Sequence, residues 1–405
     1  MSADMSTERV THPPELARPD AYTVPADVPI AAPEIEDEVA DERLTVASPR
    51  QLMWWRFKKH RVALICGILL AVFYVIALFA ELVAPYDPNA VNGRYKLVPP
   101  VRLTFIDPDG SFVAWPGVNL LVMSRDPETL RITYVPDPST WYPLQFFVHG
   151  TPYKLWGLIP MDIHLFGLGA EAPEQNLFML GTDRLGRDVL TRTIYGARMS
   201  LSIGLVGVTL TFFLGIFFGG ISGYYGGWID MVVQRVIEFL RSIPRIPMWM
   251  ALAAAVPPKW PLEYTYFAIT IILSVIGWTG LARVVRGRFL SLREEDFVLA
   301  ARLAGAREGR IIFRHMLPSF SSHIIASVTL AIPGTILGET ALSFLGLGLR
   351  EPAISWGVLL QDAQNVQVVA LSPWLMLPVA PLIITIMAFN FFGDGLRDAA
   401  DPYGR

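Results

Sequence analysis

Cysteine occurs once in this chain of 405 residues, at Cys66 inside an apolar run, so no internal disulfide and no cysteine-based zinc site can form. Lysine occurs five times and never after a glycine, and no stretch reads G-x-x-x-x-G-K-S/T. A phosphate-cradling P-loop is thereby excluded. There is no G-x-S-x-G elbow for a nucleophilic serine, and Ser222 and Ser343 read as helix-packing residues. His60, His149, His164, His315 and His323 are scattered without H-E-x-x-H or paired spacing, so no metal site is expected. Charge is also sparse, at 17% of residues with a net value of -3 and a pI near 6.1. The basic residues gather at short loops and form no continuous stripe, which argues against nucleic acid as a partner. No internal repeat is visible, which argues against the inverted-repeat secondary transporters.

What is abundant is apolar: 53% of the chain is hydrophobic and the mean hydropathy is +0.42, values that point to a membrane protein. Residues 1–50, rich in Pro, Ala, Glu and Asp, are expected to be a disordered cytoplasmic tail. Residues 51–85 carry Trp54, Trp55, Arg56, Lys58, Lys59 and Arg61 and then the first apolar run, Val62 to Ala84, long enough to span hydrocarbon of roughly 30 Å as a helix. The flanking positive charge places the amino terminus in the cytoplasm. Further runs at about 199–222, 231–256, 264–285, 323–346 and 374–393 give six expected spans and return the carboxyl terminus to the cytoplasm. The third is the weakest, with Glu238, Arg241, Pro244 and Pro247 in its first half. Residues 86–182 alternate apolar and aromatic residues between Pro and Gly, and helix parity puts this expected β-rich insertion outside the cell. Residues 183–405 form the remaining core with five spans. The fold class is thus an all-α polytopic membrane protein with a small β-rich extracytoplasmic insertion.

The loop after the fourth span, 286–322, is the informative one. Asp296 opens a short helix in which Phe297, Ala300, Ala301 and Ala304 recur at i, i+3, i+4 and i+7, giving a shallow face. Arg302 lies on the same helix and Gly305 followed by Ala306 reads as its C-cap. A second piece carries Arg307, Arg310 and Arg314, and Leu317 and Pro318 end it. The spacing predicts a helix-turn-helix at the membrane surface.

At these residues the chain resembles the permease subunits of bacterial ABC importers, whose cytoplasmic EAA loop runs Glu-Ala-Ala, three residues, Gly, and later Leu-Pro. Ala300, Ala301, Gly305, Leu317 and Pro318 match, while Leu299 stands where that glutamate would be, so its charge contact is absent or shifted to Glu295 or Asp296. LGTDRLGRDVLTRTIYGARMSL at 180–201, GYYGGWID at 223–230 and FNFFGDGLRDAADP at 389–402 narrow the resemblance to the dipeptide and oligopeptide importers. The similarity covers residues 50–85 and 178–405, in a branch with an enlarged outside domain that also includes oligosaccharide importers. The resemblance implies a type I permease fold in the inner membrane and no enzymatic activity. It implies a second permease, one or two ABC ATPase subunits carrying ATP and Mg, and an extracytoplasmic solute-binding protein, with no cofactor on this chain. The loop would then couple ATPase closure to the spans.

Glu339 is the main ionisable residue deep in a span, either on the solute pathway or in a helix-helix hydrogen bond, and Pro333 and Gly334 should bend its helix. Gly215 and Gly219 form a G-x-x-x-G that packs a helix within the subunit or against a partner. Arg184, Arg187 and Arg192 are expected on an interfacial helix at the outer surface, open to the solute-binding protein. A channel that works without an ATPase and a membrane-embedded enzyme are the alternatives; neither needs the loop, and the buried polar residues are too dispersed for catalysis.

Overall fold

In the computed structural model, residues 49–400 are described except 126, 128–131, 170–171 and 173–176. The expected tail lies outside them but for positions 49 and 50. Five helices among the described residues are long and apolar enough to cross a membrane: Arg61–Leu78, Val189–Tyr225, Leu262–Leu292, Ser321–Phe344 and Pro373–Ala400.

Helix α1 (Pro49–Lys59) runs into α2 (Arg61–Leu78), and the His60 ring accepts the Ala63 N–H at 3.2 Å to cap the second helix. A one-turn α3 (Ala80–Val83) follows. Along α2, Ile65, Ile68, Val72, Val75 and Leu78 are exposed at intervals of three and four residues, a stripe suited to lipid. The opposite side meets α12 (Val379–Ala400), where Leu70 and Phe389 share one cluster and a Cβ on Gly395 would collide with the Ala63 methyl.

Helix α4 (Val189–Tyr225) and α7 (Leu262–Leu292) make the central pair. A Cβ at Gly219 would strike the Ala282 carbonyl and one at Gly215 would lie 2.8 Å from the Leu281 side chain, so the G-x-x-x-G packs within this subunit. Between them the expected third span is not one helix. Residues Gly227–Ser242 form α5 and Arg245–Ala254 form α6. The break is at Ile243, whose extended backbone (φ -93°, ψ 131°) is what a residue before proline prefers, and Pro244 supplies no N–H to continue the ladder. The fifth expected span is likewise two helices, α9 (Ser321–Thr329) and α10 (Ile332–Phe344), bent where Pro333 enters.

Between α3 and α4 the described residues include six strands. Leu103–Ile106 (β1), Phe112–Val118 (β2), Tyr142–Leu155 (β5) and Ile159–Leu168 (β6) make an antiparallel sheet in the order β1-β2-β5-β6, and Leu121–Arg125 (β3) pairs with Ile132–Pro136 (β4) as a separate hairpin. Val118, Leu144 and Leu177 pack together beside Tyr86. His164, 2% exposed, ties β6 to the end of α3, with Nδ1 2.6 Å from the Ala84 carbonyl.

Candidate functional site

The loop leaves α7 through Arg293–Glu295 and forms α8 (Asp296–Leu303), with Asp296 in the first turn where a negative charge suits the helix dipole. Its end is a Schellman closure: the Ala304 N–H bonds the Ala300 carbonyl at 2.9 Å, the Ala306 N–H reaches Ala301 at 3.0 Å, and the Gly305 N–H bonds Arg302 at 2.9 Å. Gly305 has φ +77°, a conformation that glycine takes without a Cβ penalty. The second piece is a turn at Glu308–Arg310, a wide π-helical turn at Ile311–Met316 and a last turn at Leu317–Ser319. Leu317 and Pro318 therefore do not end it. Pro318 lies within that final turn, directly after the π-helical turn, and the bend falls at Phe320 (φ -124°).

One side of this elbow is rooted in the bundle. Val298, Ile311 and Met316 are buried with Tyr224 of α4, Phe289 of α7, Phe320 just before α9 and Ile324 within it, and Ala301 and Ala306 are half-buried against the same cluster. The Arg302 guanidinium lies 5.3 Å over the Tyr224 ring, and the Tyr225 hydroxyl donates to Glu308 at 2.7 Å. Below them Arg286 clamps the Asp230 carboxylate with two bonds of 2.5 Å, joining α7 to α5. The other side is bare: Phe297, Leu299, Ala300, Leu303, Ala304, Arg310 and Pro318 are exposed, Leu303 to 91%. The outward face thus differs from the one expected. Val298 turns inward and takes Ala301 with it, so Leu299 and Leu303 join Phe297, Ala300 and Ala304 on the outside. Val298 could have been found from its i, i+3 relation to Ala301.

Glu339 is fully buried on α10 and faces protein. Its Oε1 accepts the Ser355 hydroxyl at 2.7 Å and the Ser343 hydroxyl at 2.8 Å, and Oε2 lies 3.4 Å from Ser200 Oγ on α4. Ser200 Oγ in turn accepts the Trp356 N–H at 3.1 Å, so one carboxylate links α4, α10 and the short helix α11 (Trp356–Leu359). Pro333, also buried, stands a turn and a half before it. Beside Pro333, Gly334 and Thr335 open onto a cavity of about 350 Å³. Thr211, Gly277, Gly280, Arg245 and Trp249 complete much of its wall. Arg245 and Trp249 escaped the sequence reading because the break at Ile243 and Pro244 alone swings them to this place.

At the opposite end of the bundle the arginines of 184–192 are not on an exposed interfacial helix. Residues 181–188 form a turn, and α4 starts only at Val189, capped by Asp188, whose Oδ2 accepts the Thr191 N–H at 2.7 Å. Arg192, 2% exposed, and Arg187 both bond Asp183 (2.8 and 2.7 Å) and Glu351 (3.0 and 2.7 Å). Ion pairing has drawn them inward because an unpaired buried guanidinium is costly. Burial by itself would raise the Glu351 carboxyl, but its bonds to Arg187 and Arg192 outweigh that and hold it below its ordinary value. Burial pushes the Asp188 carboxyl up to about 7, and the bond from the Thr191 N–H offsets only part of it. Arg184, paired to Asp362 at 3.3 Å, stays on the wall of an open cleft of about 760 Å³.

Residues 215–403 match the family described as binding-protein-dependent transport system inner membrane component. Residues 48–100 match the N-terminal TM domain of oligopeptide transport permease C. The dipeptide transport system permease protein DppC of Bacillus subtilis is 41% identical over 236 residues, 56% of this chain and 71% of the relative. The oligopeptide transport system permease protein OppC of Haemophilus influenzae is 41% identical over 240 residues, 59% of this chain and 74% of the relative. Among solved structures, the inward-facing methionine ABC transporter MetNI aligns with a TM-score of 0.42 at 18% identity, covering 52% of this chain and 97% of that one. From the matches to DppC and OppC, the chain belongs to the dipeptide and oligopeptide permease family, the multi-pass inner-membrane transport components of binding-protein-dependent ABC importers, which carry no enzymatic activity of their own.

Proposed function

We propose that this chain forms half of a translocation pathway for peptides and that residues 286–322 dock in a cytoplasmic ABC ATPase. Relatives named as dipeptide and oligopeptide permeases support the solute class. The coupling role rests on one observation above the others. The elbow turns Leu299, Leu303 and Phe313 to solvent while Val298, Ile311 and Met316 fasten it to the ends of α4, α7 and α9. A rigid body with an apolar outer face can be pushed by a partner and pass the displacement to three helices, which a flexible tether would absorb.

The fold is that of a type I importer permease with six crossings. Segment 227–261, broken as it is, carries the chain from the elbow end of the bundle to the end where Pro257, Trp260 and Glu351 share a cleft. Both termini then lie in the cytoplasm and the strands of 103–168 outside. A second permease completes the pathway, ATP and Mg sit on the ATPase subunits, and a solute-binding protein delivers the peptide. Gly334 and Thr335, beside the buried Pro333, line that path, and Glu339 braces the helix behind them.

The test is retention of the ATPase. Wild-type chain purified from its native membrane carries the ATPase subunit, whereas Leu303→Asp loses it at least about tenfold, corresponding to roughly 1.4 kcal/mol of interface energy. Undiminished retention by Leu303→Asp together with Leu299→Asp overturns the docking assignment.

A further inference from the structure

The β5–β6 hairpin ends in a turn that the transport reading leaves without a role. Trp156 and Gly157 at its tip have φ of +52° and +74°, and the Leu158 N–H closes the turn on the Leu155 carbonyl at 3.0 Å. Asn-Gly and Gly-Gly pairs ordinarily supply this left-handed backbone, so a tryptophan at the first position is an outlier that something else must hold in place.

What holds it is the end of the first span. The Trp156 indole N–H donates to the Leu78 carbonyl at 2.8 Å, across a sequence separation of 78, and the Trp156 and Phe79 rings lie 5.4 Å apart. Arg198 of α4 bonds the same helix end, with Nε on the Ala77 carbonyl at 2.8 Å and its other nitrogens on Glu81. The last carbonyls of α2 are thus capped by an indole and a guanidinium, and the height of the hairpin tip is set by the residue at which the apolar helix stops.

That height is where the candidate membrane span Arg61–Leu78 ends. Leu78 closes the exposed stripe that begins at Ile65, and directly beyond it Trp156, Leu158 and Ile159 present more apolar surface, with Leu158 79% exposed and Trp156 45%. No described residue of the chain covers Leu158. A tryptophan with its N–H satisfied and its ring half-exposed, next to a bare leucine at the end of a lipid-facing helix, has the composition of an interfacial anchor.

We infer that the tip of the β5–β6 hairpin dips into the headgroup and upper acyl region of the bilayer leaflet at the carboxyl end of α2, so that lipid covers Leu158 and the sheet is held against the membrane at a second point besides its chain connections. The occupant is lipid, because the tip is bonded to Leu78, where the exposed apolar stripe of α2 ends, and Trp156, Leu158 and Ile159 carry further apolar exposure from that point. The proposal goes beyond the transport assignment and does not depend on which solute or ATPase the chain serves.

The experiment uses the full chain, with Cys66→Ser removing the single native thiol, in proteoliposomes with its co-purifying subunits. An environment-sensitive fluorophore is placed at Leu158→Cys and, as a water-exposed reference, at Ser139→Cys in the turn leading into the other end of β5. The Leu158 label is expected to emit to the blue of the Ser139 label. It should be quenched severalfold more strongly by lipid carrying a nitroxide high on the acyl chain than by iodide, with the order reversed at Ser139. Iodide quenching at Leu158 equal to that at Ser139 overturns the proposal. Protection from both quenchers also overturns it, since protein would then cover the tip.

Discussion

At the scale of single residues, Gly305 separates backbone strain from packing. Nothing lies within 4 Å of where its Cβ would be, so a substitution there acts only through φ +77°. Gly305→Val is expected to cost about 1–2 kcal/mol in the elbow and to leave membrane insertion intact, while ATP hydrolysis by the assembled complex no longer responds to solute-loaded binding protein. Gly305→Asn, which tolerates the left-handed region, should respond as wild type does. Asp188 offers a titration. Its folded value of about 7 lies above the ordinary 3.8, so the neutral form is favoured in the fold. The stability it contributes is whole below the ordinary value and is lost as pH rises through the folded one. The melting temperature of the complex should therefore fall between about pH 4 and about pH 7, and Asp188→Asn should flatten that slope. For Glu339, Gln keeps one acceptor for the Ser343 and Ser355 hydroxyls and is expected to cost about 1 kcal/mol, whereas Leu orphans them and costs about 1–3 kcal/mol for each group left unpaired. Thermal unfolding in lipid nanodiscs measures both.

At the scale of elements, helix junctions carry the decisions. The α2–α12 contact depends on Gly395 lying under Ala63, and Gly395→Leu is expected to cost about 1–3 kcal/mol by overpacking, read as a lowered melting temperature. The outer charge cluster is a second junction. Asp183→Asn leaves Arg192 buried beside a weakened partner set and is expected to lose about 3–5 kcal/mol, against little for the exposed pair of Arg235 and Glu238. Helix existence was readable here from apolar length alone: Val189–Tyr225 and Leu262–Leu292 contain the expected 199–222 and 264–285. Where proline entered, length misled. Pro244 divided the third run into two helices, and Pro318, which looked like a terminator, rides inside a final turn because the π-helical turn before it had already changed the ladder.

At the largest scale, the helices of the described residues form a bundle whose two ends differ in chemistry. One end projects an apolar elbow fastened by Val298, Ile311 and Met316, and the other is closed by the paired charges of Asp183, Arg187, Arg192 and Glu351. The sequence by itself determined five of the six expected apolar stretches as helices long enough to cross a membrane, since that depends on local apolar length, and it determined that Gly305 closes a helix, since that depends on one residue's freedom of φ. It also marked 286–322 as a polar segment between two apolar runs, carrying a short helix closed by glycine. Only the tertiary structure decided which face of that elbow is bare, that Arg187 and Arg192 turn inward, that Glu339 is wrapped by serines from three segments, and that Arg245 and Trp249 border a cavity. Each of these depends on partners far away in the chain, such as the 156 residues that separate Ser200 from Trp356, and no local pattern records which distant side chain will arrive beside a given one.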